Sequence, residues 1–243
     1  MFPIIAMGQG IPAVELAGLR VVGPGYGLNG TELQAFNQRS GLSLALIVNA
    51  PKNKKIVDVD DSKCSLTSLI DDRGHNLLDG VDWGSFPKVS KDGRLALIEV
   101  TSKSRPSKSA SRIHAKGTIH LCTAGSERTE KIENLKLEVG GKSHIQQNIL
   151  QVMKVQKEND GLNLVLQGKR TLTETFKAVR FYTSKDHSVD VWGRGSFTFG
   201  NTSQMQYNLD LKSVPETLIM EIDLWQDLET LDLPFEIDSG LGL

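Results

Sequence analysis

The feature that most constrains this chain is a succession of short apolar or alternating runs, each closed by Gly, Asn, Asp or Pro. Residues 42–48 are strongly apolar and end at Asn49-Ala50-Pro51, and residues 94–100 follow the turn Lys91-Asp92-Gly93. Residues 112–122 alternate cleanly, and residues 129–139 alternate less strictly. Residues 148–155 and 162–166 flank Glu158-Asn159-Asp160-Gly161, a hairpin signal. Residues 176–182, 188–192, 205–211, 217–225 and 230–237 complete the set. Helical periodicity is nearly absent: its best candidate, residues 31–39, is short, is soon followed by Gly41, and fits alternation nearly as well. Without helices long enough for crossovers, parallel sheets are excluded. The pattern predicts an all-β chain of antiparallel sandwiches or a barrel.

At 243 residues the chain has room for one large domain or two of about 100 residues, each able to bury its own core. A repeated pattern favours two. Residues 64–70, the polar turn 71–74 and the return 75–78 are matched by residues 176–182, the turn 183–186 and the return 187–191. Pro106 followed by runs 112–122 and 129–137 is matched by Pro215 followed by runs 217–225 and 230–235. Repeats this far apart indicate duplicated domains, since solenoid periods are shorter. The boundary is placed near Gly140-Gly141-Lys142, which predicts β-sandwich domains at 1–140 and 141–243. Three polar stretches read as loops: 79–91 with Trp83 and Pro87, the basic serine-rich 101–109, and the glycine- and serine-rich 193–203. Such loops are where sandwiches usually carry binding residues.

Hydrophobic residues make up 39% and charged residues 23%, a globular balance, and the formal net charge is −1. Nucleic-acid binding and attachment to an anionic membrane both need a concentrated basic face, so neither is expected. No run approaches the ~20 apolar residues of a spanning helix, so no membrane insertion is expected. The apolar start, residues 1–8, lacks a basic leader and has Pro3 near its front. It is either a first strand or the remainder of a processed signal peptide.

Several constellations invite a chemical reading, and each fits a β scaffold better. Gly23, Gly25 and Gly27 follow a strand, but a dinucleotide-binding turn wants its third glycine where Leu28 stands, with a helix beginning there. An EF-hand opening at Asp58 would need glycine and a carboxylate where Lys63 and Leu69 stand. A calcium ion could still recruit Asp58, Asp60 or Asp61 with Asp71 or Asp72, but a solvated acidic turn beside Lys52 to Lys55 is the favoured reading. His114, His120 and Cys122 share one face of a strand, yet zinc needs three or four converging ligands and an exposed polar face accounts for the same residues. The parity that groups them opposes Ile113, Ala115, Ile119 and Leu121, so Cys122 points away from the core and free thiols are favoured over a Cys64–Cys122 bridge. There is no Gly-x-Ser-x-Gly elbow and no cysteine–histidine pair in a recognised context. No catalytic residue, metal site or cofactor is therefore assigned.

Trp83, Trp192 and Trp225 could form a sugar-stacking platform. Trp83 lies in a loop, and Trp225 shares parity with Glu221 and Asp223, which places it on an exposed face. Trp83 and Trp225 are the predicted binding residues. Strand lengths, hairpins and paired modules together resemble the tandem immunoglobulin-like domains of bacterial extracytoplasmic proteins. The resemblance implies a periplasmic, secreted or surface location, although free thiols allow the cytoplasm. Two function classes follow. The first is a non-enzymatic binding or spacer module for a protein or glycan partner. The second is a carbohydrate-binding accessory domain or a carbohydrate-active enzyme.

Overall fold

A computed structural model of the chain describes residues 14–24, 40–84, 87–159 and 161–242. It is all-β with four antiparallel sheets, none closed into a barrel. The glycine-rich turn from Gly25 onward, the helical candidate 31–39 and the apolar start 1–8 lie outside the described residues.

The chain divides into two compact units, 1–125 with 227–243, and 126–226. In the first, β1 (Val14–Val22), β2 (Gly41–Asn49) and β7 (Leu95–Ser102) form one sheet, with the short β5 (Asp82–Trp83) and β6 (Lys88–Val89) both on the far side of β7. Its second sheet centres on β8 (Arg112–Ala124), flanked by β18 (Glu229–Gly240) on one side and by β3 (Lys55–Val59) and β4 (Ser65–Asp71) on the other. The apolar alternation dictates the layering. Leu42, Leu44, Leu46, Ile98 and Val100 from one sheet share a single core with Ile113, Ile119, Leu121, Leu233 and Phe235 from the other.

The second unit repeats the plan with other strands. One sheet runs β10 (Lys142–Ile145), β11 (Asn148–Glu158), β12 (Gly161–Lys169), β16 (Thr202–Leu209), β15 (Val191–Phe199). The other runs β14 (His187–Val189), β13 (Phe176–Ser184), β17 (Thr217–Gln226), β9 (Ser126–Lys136). Leu150, Leu164, Leu166, Tyr207 and Leu209 meet Phe181, Met220, Ile222 and Leu224 in its core, where the Phe181 and Tyr207 rings stand edge to face at 5.1 Å. Two antiparallel sheets on one core in each unit are compatible with β-sandwiches. Gly140 and Gly141 form the turn between β9 and β10, within the second unit.

Two expectations are corrected by hydrogen bonding. Residues 193–203 are not a loop: they form the β15–β16 hairpin, paired from Gly193↔Asn208 to Phe199↔Thr202 and closed at Gly200-Asn201. The alternating Phe197-Thr198-Phe199 run carries the pairing, and the glycines are tolerated because β15 is an edge strand. The run 188–192 is likewise split, since β14 and β15 belong to different sheets. The single short α-helix, α1 (Arg170–Thr173), and a 3-10 turn at Asp61–Lys63 are the helices among the described residues. None there is long and apolar enough to cross a membrane.

Candidate functional site: a concavity around Trp192

At one end of the second unit, three segments that adjoin strands of one sheet converge. They are the β11–β12 turn, the segment from β14 into β15, and the residues after β16. Register brings them together: Leu209 lies opposite both Leu162 of β12 and Val191 of β15, and the Asp210 amide donates to the Asp190 carbonyl at 2.9 Å. Gly161 makes the close approach possible. Its φ is +151°, and a Cβ there would stand 2.2 Å from the Leu209 carbonyl oxygen.

The result is a concavity of about 640 Å³ lined by Trp192, Asp190, Asp210, Leu211, Lys157, Glu158, Asn159, Gly161 and Lys212. Trp192 is 58% exposed. It occupies the bulge where β15 slips against β16 between Val191 and Gly193, and a bulge re-aims the side chain it carries. Among the described residues, Lys157, Glu158, Asp190, Asp210 and Lys212 make no ion pair with one another or with the rest of the chain, so their charges are available to a ligand. A flat amphipathic ring, three carboxylates, two ammonium groups and one carboxamide can stack on the apolar face of a sugar and hydrogen-bond its hydroxyls.

The tryptophans singled out from sequence lie elsewhere. Trp83 on β5 is half-buried against the first core, opposite Val100. Trp225 does share the face of Glu221 and Asp223, but it is only 8% exposed. Its backbone N–H donates to Thr175 O at 2.8 Å, and the Lys177 ammonium sits 4.9 Å from its ring centroid. The expected exposure of Trp225 is thus corrected: parity chose the face, and neighbouring side chains cover it. Trp192 shares the parity of the exposed Asp190, opposite Val189 and Val191, so alternation does place it outward; what the sequence did not show is the concavity around it.

The remaining candidates are held by local partners. His120 Nδ1 lies 2.6 Å from Asp232, directly opposite it on β18, and His114 Nε2 lies 3.3 Å from Glu236. Cys64 and Cys122 are free thiols. Cys64 Sγ donates to Asp60 O and accepts from the His120 N–H, and burial pushes its pKa up, so the thiolate is disfavoured. Among the described residues, no group of three or more His, Cys, Asp or Glu could hold a metal ion. Asp60 bonds Ser62 and Lys63, whose hydrogen bonds lower its pKa, while Asp58 is pushed up by partial burial and by the charges of Asp60 and Asp61. Arg180 forms the strongest ion network, with both terminal nitrogens on Asp223 and Nε on Glu221, each at 2.8 Å. Those bonds tie β13 to β17 and hold Asp223 below the usual carboxylate range.

Comparison with known proteins finds no match: no family model, no curated protein and no solved structure is similar to this chain.

Proposed function

We propose that the chain is a non-enzymatic, extracytoplasmic binding protein of two immunoglobulin-like sandwich units, with a glycan as its partner at the Trp192 concavity. The observation that carries the proposal is the exposed Trp192 ring set among unpaired charges in a cavity of ligand size. Trp83, half-buried, and Trp225, 8% exposed beneath Lys177, offer a ligand less ring than Trp192. The immunoglobulin-like comparison rests on the layering of two antiparallel sheets over one core in each unit.

The test is a screen of immobilised oligosaccharides followed by calorimetric titration of the best binder. Trp192→Ala is expected to weaken binding about tenfold or more, the loss of roughly 1.4 kcal/mol of stacking. Retention of no glycan, or unchanged affinity in the variant, defeats the proposal. A second reading, a carbohydrate-active enzyme, draws on Glu158, Asp190 and Asp210 lining the same concavity. It requires that the retained glycan be cleaved, and that Asp190→Asn or Asp210→Asn abolish cleavage while leaving binding.

A further inference from the structure

A second cavity of the same unit opens between its two sheets. Strand β14 pairs with β13 only from Phe181 onward, so residues 176–179 have β17 on one side and, among the described residues, no strand on the other. Across the gap stands β15, the edge of the opposite sheet. The cleft between them has a volume of about 400 Å³ and is lined by Phe176, Ala178, Val179, Met205 and Tyr207, with Arg194 and Ser196 reaching in from β15.

Two polar groups bear on the cleft: the buried Tyr207 hydroxyl, and Arg194, which is exposed at its mouth. Tyr207 is 5% exposed, and among the described residues its hydroxyl donates only to the Met205 thioether, at 3.7 Å. A thioether is a weak acceptor, so a buried O–H is held in reserve there. Burial pushes the phenol up to about 12 against the opposing charge of Arg194. Arg194 falls on the inward parity of β15, opposite Tyr207, and gives one Nη2 bond to the Val179 carbonyl at 3.1 Å. Among the described residues no carboxylate pairs with it. Lys177 also lines the cleft, but its charge is by contrast engaged by Glu127 and by the face of Trp225.

We propose that this cleft binds a small carboxylate with an apolar body, its head between Arg194 and the Tyr207 hydroxyl and its body against Phe176, Val179 and Met205. A planar guanidinium matches a carboxylate in shape and charge. A single unpaired cation suits a monoanion better than a phosphate dianion, and the apolar walls reject a bare inorganic ion. The proposal is independent of glycan binding at Trp192, which none of these residues lines.

Titration of the full chain with benzoate, followed by 1H–15N NMR, tests it, with benzyl alcohol and inorganic phosphate as comparison probes. Benzoate is expected to shift the amides of Gly195 and Ser196 saturably, with the alcohol and phosphate at least tenfold weaker. Arg194→Gln is expected to lower benzoate affinity tenfold or more. Tyr207→Phe removes a hydroxyl whose sole partner is a thioether, so the fold is retained, and affinity is expected to fall about fivefold. Trp192→Ala is expected to leave benzoate affinity unchanged. Absence of a saturable shift, equal binding of benzoate and benzyl alcohol, or unchanged affinity in Tyr207→Phe overturns the proposal.

Discussion

Among the described residues, Asp71 is the one charged side chain that is buried. It is 2% exposed, yet its carboxylate is fully engaged by backbone: Oδ1 accepts from the Arg73 and His75 amides at 2.9 Å each, and Oδ2 from the Ser107 amide at 2.8 Å. It therefore closes its own turn and pins the serine-rich segment 101–109 to it. Burial alone would raise the pKa, but the amides of Ser107, His75 and Arg73 outweigh it and hold the group at about 2, against an ordinary 3.8. A depressed folded-state value means that the ion stabilises the fold at pH above about 3.8, and that this contribution disappears as pH falls through about 2. Asp71→Asn is expected to cost ~2 kcal/mol at neutral pH, because one amide hydrogen must face a backbone N–H. Urea titrations of both proteins across the acid range should show the gap between them narrowing below about pH 4. A gap that stays constant would mean that the carboxylate's charge is not what holds the segment.

At the scale of elements, β8 organises the first unit, and its key position is Gly117. A Cβ there would lie 2.3 Å from Ser65 O and 2.8 Å from Phe235 Cζ, so β4 and the Phe235 ring close on the strand where it has no side chain. Gly117→Ala is expected to destabilise the unit by ~1–3 kcal/mol through overpacking, read as a lowered urea midpoint, whereas Gly23→Ala, with open space around it and no positive φ, is expected to change the midpoint little. An equal effect at both sites would mean that the close approach at Gly117 is not what the alanine disturbs. The inward and outward faces of β8 were fully legible in the sequence: Ile113, Ala115, Gly117, Ile119 and Leu121 are buried, and His114, Thr118, His120 and Cys122 are half-exposed, as alternation requires. The β11–β12 hairpin was legible too, since its turn residues name it, and Glu158 does lie opposite Gly161. Pairing partners were not. β8 and β9 are separated only by Gly125, yet β8 pairs with β18, β3 and β4 while β9 pairs with β17. Periodicity records which face of a strand is apolar and carries nothing about which neighbour it meets. The site was hidden for a related reason: the parity of Trp192 was legible, but the pairing that gathers Asp190, Asp210 and the β11–β12 turn around it was not.

For the whole molecule, the repeated strand–turn–strand pattern acquires a topological meaning. The two matching segments, β8–β9 and β17–β18, do not fold back on themselves as hairpins. They pair with each other, β8 with β18 and β9 with β17, so the chain leaves the first unit at Gly125 and returns to it at Asp227. Ser126 lies opposite Gln226, and Thr123 lies opposite Glu229, so both junction strands are in register close to the crossing. An inserted unit whose ends are adjacent neighbours on one ladder should be separable, since excision breaks neither its sheets nor its core. Residues 126–226 expressed alone are expected to unfold in one cooperative thermal transition. The remainder, with residue 125 joined to 227 through Asn-Gly, turns β8 and β18 into an ordinary hairpin and is expected to fold as well. Both cavities belong to residues 126–226, so glycan retention and benzoate binding should travel with that fragment and be absent from the other. Calorimetry of the two fragments checks the division directly. A non-cooperative 126–226 fragment would show that its core depends on the first unit, and binding that stayed with the remainder would place the functional surface outside the inserted unit.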